Sequence, residues 1–409
     1  MRRYLLPLFA RFVNFATRLV DALCGFLFLP PLATRLLQWL LPLEERAVLR
    51  AAYKATGLRD YGEGTFLTGL RLLLKGLEEE ARLSAFGRIL IWNDVQRLLR
   101  YRLHLEDTRR QHPEIEEEKI EAPVFILGLP RTGTTFLFNL LALDTSLFRS
   151  PLTWEVHHMH PPPDAACYDT DKRIGETEAF LEGVSALLPS FQALHPVTAT
   201  GPQECMGLMM YDFTSFAFPT IHFNIPSYFR WYLSSDLTPT YRLLRWQLQY
   251  LQWRGPKAPR WLLKCPAHLF SLPSLMAAFP DAKLIFTHSD LVADPMATVR
   301  RIYQDLLKRQ LDDDVADKMR AYLAANSKVG EVSSAPLQVG GTMLDKQREE
   351  QWLLFLFSYH SYRSHFCSVS SQEKRPRHHY KWEDTMLDKQ QEEQRFEFYI
   401  RAFGLESEQ

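Results

Sequence analysis

The stretch Ala122-Pro-Val-Phe-Ile-Leu127, continuing as Gly128-Leu129-Pro130-Arg131-Thr132-Gly133-Thr134-Thr135, decides the fold. Ala122–Leu127 is a short, β-prone apolar run, and Phe136–Leu143 beyond the loop is apolar at helical spacing. Strand, glycine loop and helix start follow in the order that a phosphate-binding turn requires. The glycines let the backbone turn tightly, so successive amide N–H groups point inward as an anion nest. The helix start adds the positive end of its dipole. Thr134 and Thr135 supply hydroxyl donors, and Arg131 supplies a forked, permanently charged guanidinium. The candidate anion-binding set is therefore Gly128, Pro130, Arg131, Thr132, Gly133, Thr134 and Thr135. The pattern that grips nucleoside triphosphates places a lysine just before the final Ser/Thr. Here that position is Thr134, and the loop holds no lysine. A nucleoside or shikimate-type kinase is disfavoured on that ground.

Working outward, further strand signals lie at Trp261–Lys264 and Lys283–Thr287, with a helical pattern, Leu269–Phe279, between them. Apolar strands alternating with helices predict an α/β domain with a central, mostly parallel sheet flanked by helices, a P-loop-like three-layer arrangement. Residues 44–120 read as a helical N-terminal region preceding this domain, which spans 121–330. Within it, Arg97–Leu105 and Glu114–Glu118 read as solvated faces.

The whole chain has 409 residues and 48 Lys+Arg against 48 Asp+Glu, a neutral balance that excludes a dedicated nucleic-acid binder. Five cysteines lie far apart without a C-x-x-C pair, which disfavours a disulfide scaffold or a zinc ribbon. Residues 1–43 depart from the average: five arginines stand against Asp21, a net +4, and Leu5, Phe9, Phe12, Ala16 and Leu19 fall at helical spacing. This is a basic amphipathic leader. Its most apolar run, Ala22–Ala33, is about half the ~20 residues a spanning helix needs. A helix packed on the body of the domain is the favoured reading; contact with a membrane surface is the alternative. The location expected is cytoplasmic or membrane-associated.

The Pro-Arg-Thr-Gly-Thr-Thr loop after a short strand resembles the element of sulfotransferases that binds the 5′-phosphosulfate of PAPS (3′-phosphoadenylyl sulfate). Further blocks resemble the bacterial and protist branch of that family: Pro151–Glu155 (PLTWE), Gly201–Glu204 (GPQE), Tyr228–Leu237 (YFRWYLSSDL), Tyr250–Trp253 (YLQW), Trp261–Leu269 (WLLKCPAHL) and Phe279–His288 (FPDAKLIFTH). They keep the family order over roughly residues 45–290. The resemblance implies sulfuryl transfer from PAPS, with no metal, to a hydroxyl or amine of a small-molecule or carbohydrate acceptor. It implies that Arg131 contacts the leaving phosphosulfate and that Glu155, in a Trp-Glu pair like that of the tyrosylprotein type, is the general base. From the residues alone, Glu155 as a base and Glu155 as a surface carboxylate are evenly matched. Glu204 and Lys264 match family positions near the active cleft. His157, His158 and His160 read as a satisfied or solvent-facing cluster, and Trp154, Tyr211, Phe213, Phe216 and Phe218 suit either an acceptor surface or the core.

Two departures from the family pattern qualify that expectation. After the strand, the family continues His-Arg-Asp-Pro, with the arginine and a later serine holding the 3′-phosphate of PAPS. This chain reads His288-Ser289-Asp290 and passes straight into Leu291–Tyr303, a block the family carries further on, as though a segment were deleted after His288. In addition, Thr342–Gln351 recurs as Thr385–Gln394 with a single difference, and the family tail resumes near Arg377. Residues 331–372 therefore read as an inserted loop, and 373–409 as a C-terminal basic segment and helix in which Arg375 and Arg377 are candidates to approach the nucleotide. A catalytically impaired relative that binds anions or partners without turnover is the alternative function.

Overall fold

The computed structural model describes residues 36–128, 133–187, 197–287 and 294–326. Leader residues 1–35, loop residues Pro130, Arg131 and Thr132, the junction after His288, the inserted segment and the C-terminal segment with Arg375 and Arg377 lie outside the described residues. The chain divides into two compact units, residues 1–127 with 138–285 and residues 128–137 with 286–409.

The first unit opens with helices α1 (Glu45–Thr56), α2 (Phe66–Glu79) and α3 (Ala85–Gln111). Ser84 caps α3 by accepting from the Gly87 N–H at 3.0 Å, as a serine before a helical run should. The run Arg97–Leu105, expected to face solvent, is instead the inner core of α3: Leu98, Leu99 and Leu103 have no exposure, and Arg102 only 4%. The Arg102 guanidinium donates to the Tyr61, Tyr211 and Glu63 carbonyls and to Asp212, while Thr240 bonds the other Asp212 oxygen at 2.7 Å. A buried arginine is tolerable where every donor finds an acceptor, and helical spacing alone does not reveal such partners.

Four strands form a sheet in the order β2-β3-β1-β4. They are β1 (Val124–Gly128), β2 (Phe148–Arg149), β3 (Arg260–Lys264) and β4 (Lys283–Thr287). Both β1 and β2 run parallel to β3, with Ile126 opposite Lys264 and Arg149 opposite Trp261. Every residue of β1 is buried, which accounts for its unbroken apolar run. The connections carry α5 (Thr153–His157), α6 (Lys172–Leu187), α7 (Cys205–Met209), α8 (Pro226–Ser234), α9 (Thr238–Trp253) and α10 (Leu272–Ala278). The fold is therefore the expected α/β class, a parallel sheet flanked by helices. Trp154, Tyr211, Phe213, Phe216 and Phe218 are all core side chains.

The second unit contains the start of α4 (Thr134–Leu141), followed in sequence by α11 (Pro295–Arg301) and α12 (Asp313–Ala325). Asp294 caps α11 by accepting from the Ala297 N–H at 2.9 Å. Val299, Tyr303 and Met319 are buried, and the Phe136 ring lies 6.3 Å from that of Tyr322.

Several histidines of the first unit make side-chain contacts inside it. His158 bonds the Tyr101 hydroxyl, His160 bonds the Tyr250 hydroxyl and stacks on His104, and His157 stacks on Phe180. Burial pushes His157 down to about 3 and His160 down to about 4, with Arg97 and the neighbouring His104 respectively as the next causes. His268, with no exposure, is pushed down to about 3 by burial. Folding thus favours the neutral rings, so their stability contribution is complete above the unfolded value near 6.5 and is lost as pH falls towards 4 and below. The unfolding free energy from urea titration should therefore fall between pH 7 and pH 5, by about 2 kcal/mol from His268 alone, and His268→Phe should flatten that slope.

Candidate functional site

The glycine loop leaves β1 at the buried Gly128, and the described residues resume at Gly133. Gly133 has φ 84°, in the left-handed region where a side chain would be strained. The Leu137 N–H bonds the Gly133 carbonyl at 2.9 Å, so the helical ladder of α4 begins at that glycine. The first N–H groups of any α-helix lie outside its own ladder, and here they belong to the residues following the glycine turn. Thr134 is buried and Thr135 is exposed.

The PLTWE and GPQE blocks, about fifty residues apart in sequence, are joined in space. Leu152 and Pro202 form an antiparallel bridge. Thr153 and Trp154 N–H groups donate to the Gly201 and Ala199 carbonyls at 3.0 Å each, and Gln203 N–H donates to the Pro151 carbonyl at 2.8 Å. Glu155, in the third position of α5, reaches back so that its Oε2 accepts from the Leu152 N–H at 2.9 Å, one half of a capping box. Its Oε1 accepts from Arg149 Nη2 at 2.6 Å. Arg149 comes from β2, and its other terminal nitrogen donates to the Leu251 and Pro256 carbonyls at 2.9 and 2.7 Å. The guanidinium also lies over the Trp261 ring, 4.6 Å from its centroid. The Glu155 side chain has no solvent exposure. What encloses its carboxylate is a cation and a backbone donor as well as the apolar Trp154. Burial first, and then the Glu155 charge, push the nearby Tyr168 phenol well up, so it stays protonated.

At the carboxyl end of β3, Lys264 is buried with 1% exposure and its ammonium pairs with Glu204, the last residue of GPQE. Glu204 Oε2 is buried without a hydrogen-bond partner. The adjoining Cys205 and Cys265 thiols are both raised by burial, Cys205 to about 12, so neither is a thiolate at neutral pH. Next to Cys265, a 3₁₀ turn presents His268, whose Nδ1 meets the Tyr241 hydroxyl at 2.6 Å; that hydroxyl also meets Ser271 Oγ at 2.9 Å.

The first unit thus brings Glu155 next to the GPQE strand and brings Glu204 to Lys264. Arg149 was absent from the sequence reading: it sits in a two-residue strand, six positions before its partner, a spacing no periodicity flags. The His268–Tyr241–Ser271 contacts were equally hidden, since they join separate helices.

The fold is similar to that of two mycobacterial sulfotransferases. The chain has a TM-score of 0.64 to the crystal structure of sulfotransferase STF9 from Mycobacterium avium, at 21% identity, covering 88% of this chain and 97% of that one. To sulfotransferase STF1 from Mycobacterium tuberculosis H37Rv the TM-score is 0.53 at 25% identity, over 86% and 98% of the respective chains. Residues 123–322 match the sequence model of the Sulfotransferase family, from the start of β1 into α12. No curated protein matches the sequence significantly.

Arg149→Ala should destabilise the chain by about 3–5 kcal/mol in urea unfolding, because it strands the buried Glu155 carboxylate. Adding Glu155→Gln to that variant should recover part of the loss. A change below about 1 kcal/mol for the single variant would mean that the pair is no stronger than an exposed one.

Proposed function

We propose that this chain is a sulfotransferase that moves a sulfuryl group from PAPS to a hydroxyl or amine of a small-molecule or carbohydrate acceptor. The observation that carries this reading is the family match over residues 123–322, which begins at the strand feeding the glycine loop. The left-handed Gly133 and the helix that starts on it fit an anion nest at the loop. Gly128, Pro130, Arg131, Thr132, Gly133, Thr134 and Thr135 would hold the phosphosulfate end. Bound PAPS supplies the activated sulfuryl group. Arg131 offsets the charge that builds on the leaving side, as positioned cations do in related in-line displacements. The orphaned Glu204 oxygen is a poor neighbour for an anion, so Glu204 is assigned to orienting Lys264 and not to the donor.

Glu155 is the general base in this proposal, by resemblance. An ionised carboxylate has about four acceptor positions, and two are used by Arg149 and Leu152, so lone pairs remain. Full burial sets a condition: the segment over Glu155 must open for an acceptor hydroxyl to reach it. That enclosure, together with Ser289 where the family carries arginine, favours the second reading, a relative that binds the nucleotide without turnover.

Calorimetry with PAP, the desulfated nucleotide, tests the loop. PAP should bind, and Arg131→Ala should weaken it by at least about tenfold through loss of charged hydrogen bonds; unchanged affinity would remove Arg131 from the site. Transfer from PAPS to a panel of phenol, sugar and amine acceptors separates the two functional readings. If transfer occurs, Glu155→Gln should slow it by about a hundredfold or more, and undiminished transfer would rule Glu155 out as base. PAP binding with no transfer to any acceptor would favour the non-catalytic relative.

A further inference from the structure

Five of the six large hydrophobic side chains exposed among the described residues lie in one neighbourhood of the first unit. Residues 36–40 form a helical turn on which Leu36, Trp39 and Leu40 share a face by their spacing. They are 54%, 76% and 53% exposed. Ile89 and Leu90, 39% and 50% exposed, stand near the start of α3. Arg88, the residue before them, joins the two segments: its Nη1 donates to the Leu41 carbonyl at 3.1 Å, and the same guanidinium is held by Glu78. Immediately after the turn the chain goes inside, with Leu43 and Val48 buried. The apolar turn is therefore fastened to the body, and its exposed side chains are covered by no described residue.

Clustered exposed apolar side chains mark an interaction surface, whereas single ones need no explanation. Two features select the partner. Trp39 is the most exposed of the group, and an indole, apolar in body with one N–H, suits the boundary between headgroups and acyl chains. The sequence leading into the turn carries five arginines against Asp21 within residues 1–43, a charge complementary to anionic lipid. No helix among the described residues is long and apolar enough to cross a membrane, so the contact in question is in-plane. We propose that Leu36, Trp39, Leu40, Ile89 and Leu90 form a seat for an anionic bilayer surface, entering the acyl boundary. The body of the domain, through Ile89 and Leu90, is thereby part of the contact, and the leader alone does not make it.

Flotation of the full chain with phosphatidylcholine vesicles, with and without phosphatidylserine, tests this. The chain should float with the phosphatidylserine vesicles and much less with phosphatidylcholine alone, and high salt should release it. Leu36→Glu/Leu40→Glu should lower the bound fraction by at least about tenfold. Ile89→Ser/Leu90→Ser should lower it by about threefold or more. Because all four side chains are exposed, thermal midpoints should stay at the wild-type value. A wild-type chain that does not float overturns the proposal. So does flotation that ignores Ile89→Ser/Leu90→Ser, which would assign binding to the leader alone. A dimer in size exclusion that both variants convert to monomer, with vesicle binding unchanged, would identify the patch as a contact between two copies and overturn it equally.

Discussion

A charge taken out of water must meet a counter-charge, and the first unit is organised around that requirement. Arg102 with Asp212 ties α3 to the turn before α8 and, through Thr240, to α9. Arg149 with Glu155 ties the edge strand β2 to α5. Lys264 with Glu204 ties the end of β3 to the GPQE segment. The first and third pairs join elements distant in sequence, so they fix which segments can lie together. Hydrophobic burial supplies the drive to collapse, but an unpaired Arg102 or Glu155 would make the wrong collapse costly.

The same pairs shape the candidate site. Glu155 owes its position to two constraints that have nothing to do with chemistry on a substrate: it caps its own helix and it neutralises Arg149. A residue so held is well positioned and poorly accessible. Lys264 and Glu204 present the complementary case, a buried cation paired with a carboxylate that has one oxygen still orphaned. In the second unit the glycine turn at Gly133 sets the start of α4 by backbone geometry alone.

Much of this was legible in the residues where local physics decides. The change from helical spacing to the apolar run Ala122–Leu127 announced β1, which the structure places at Val124–Gly128, and Lys283–Thr287 matches β4 residue for residue. The turn glycine Gly133 was readable because only glycine takes its backbone angle without strain. What escaped is what tertiary contact decides. Arg97–Leu105 reads as charged and solvated, yet Leu98, Leu99 and Leu103 are buried and Arg97 and Arg102 are bonded inside. Strand β2 is two residues long, below any pattern, and Arg149 is visible as a partner only once the sheet sets it opposite Trp261. At the end of the leader, Leu36, Trp39 and Leu40 are exposed, while the amphipathic pattern of Leu5–Leu19 lies outside the described residues.

The central claim is that the glycine loop serves a nucleotide whose phosphates it holds without a triphosphate grip. The most direct measurement is the thermal midpoint of the chain in saturating PAP compared with saturating ATP and magnesium. A ligand that binds only the folded state raises the midpoint in proportion to its affinity. A clear rise with PAP and little or none with ATP is predicted; an equal or larger rise with ATP, or none with PAP, would contradict it.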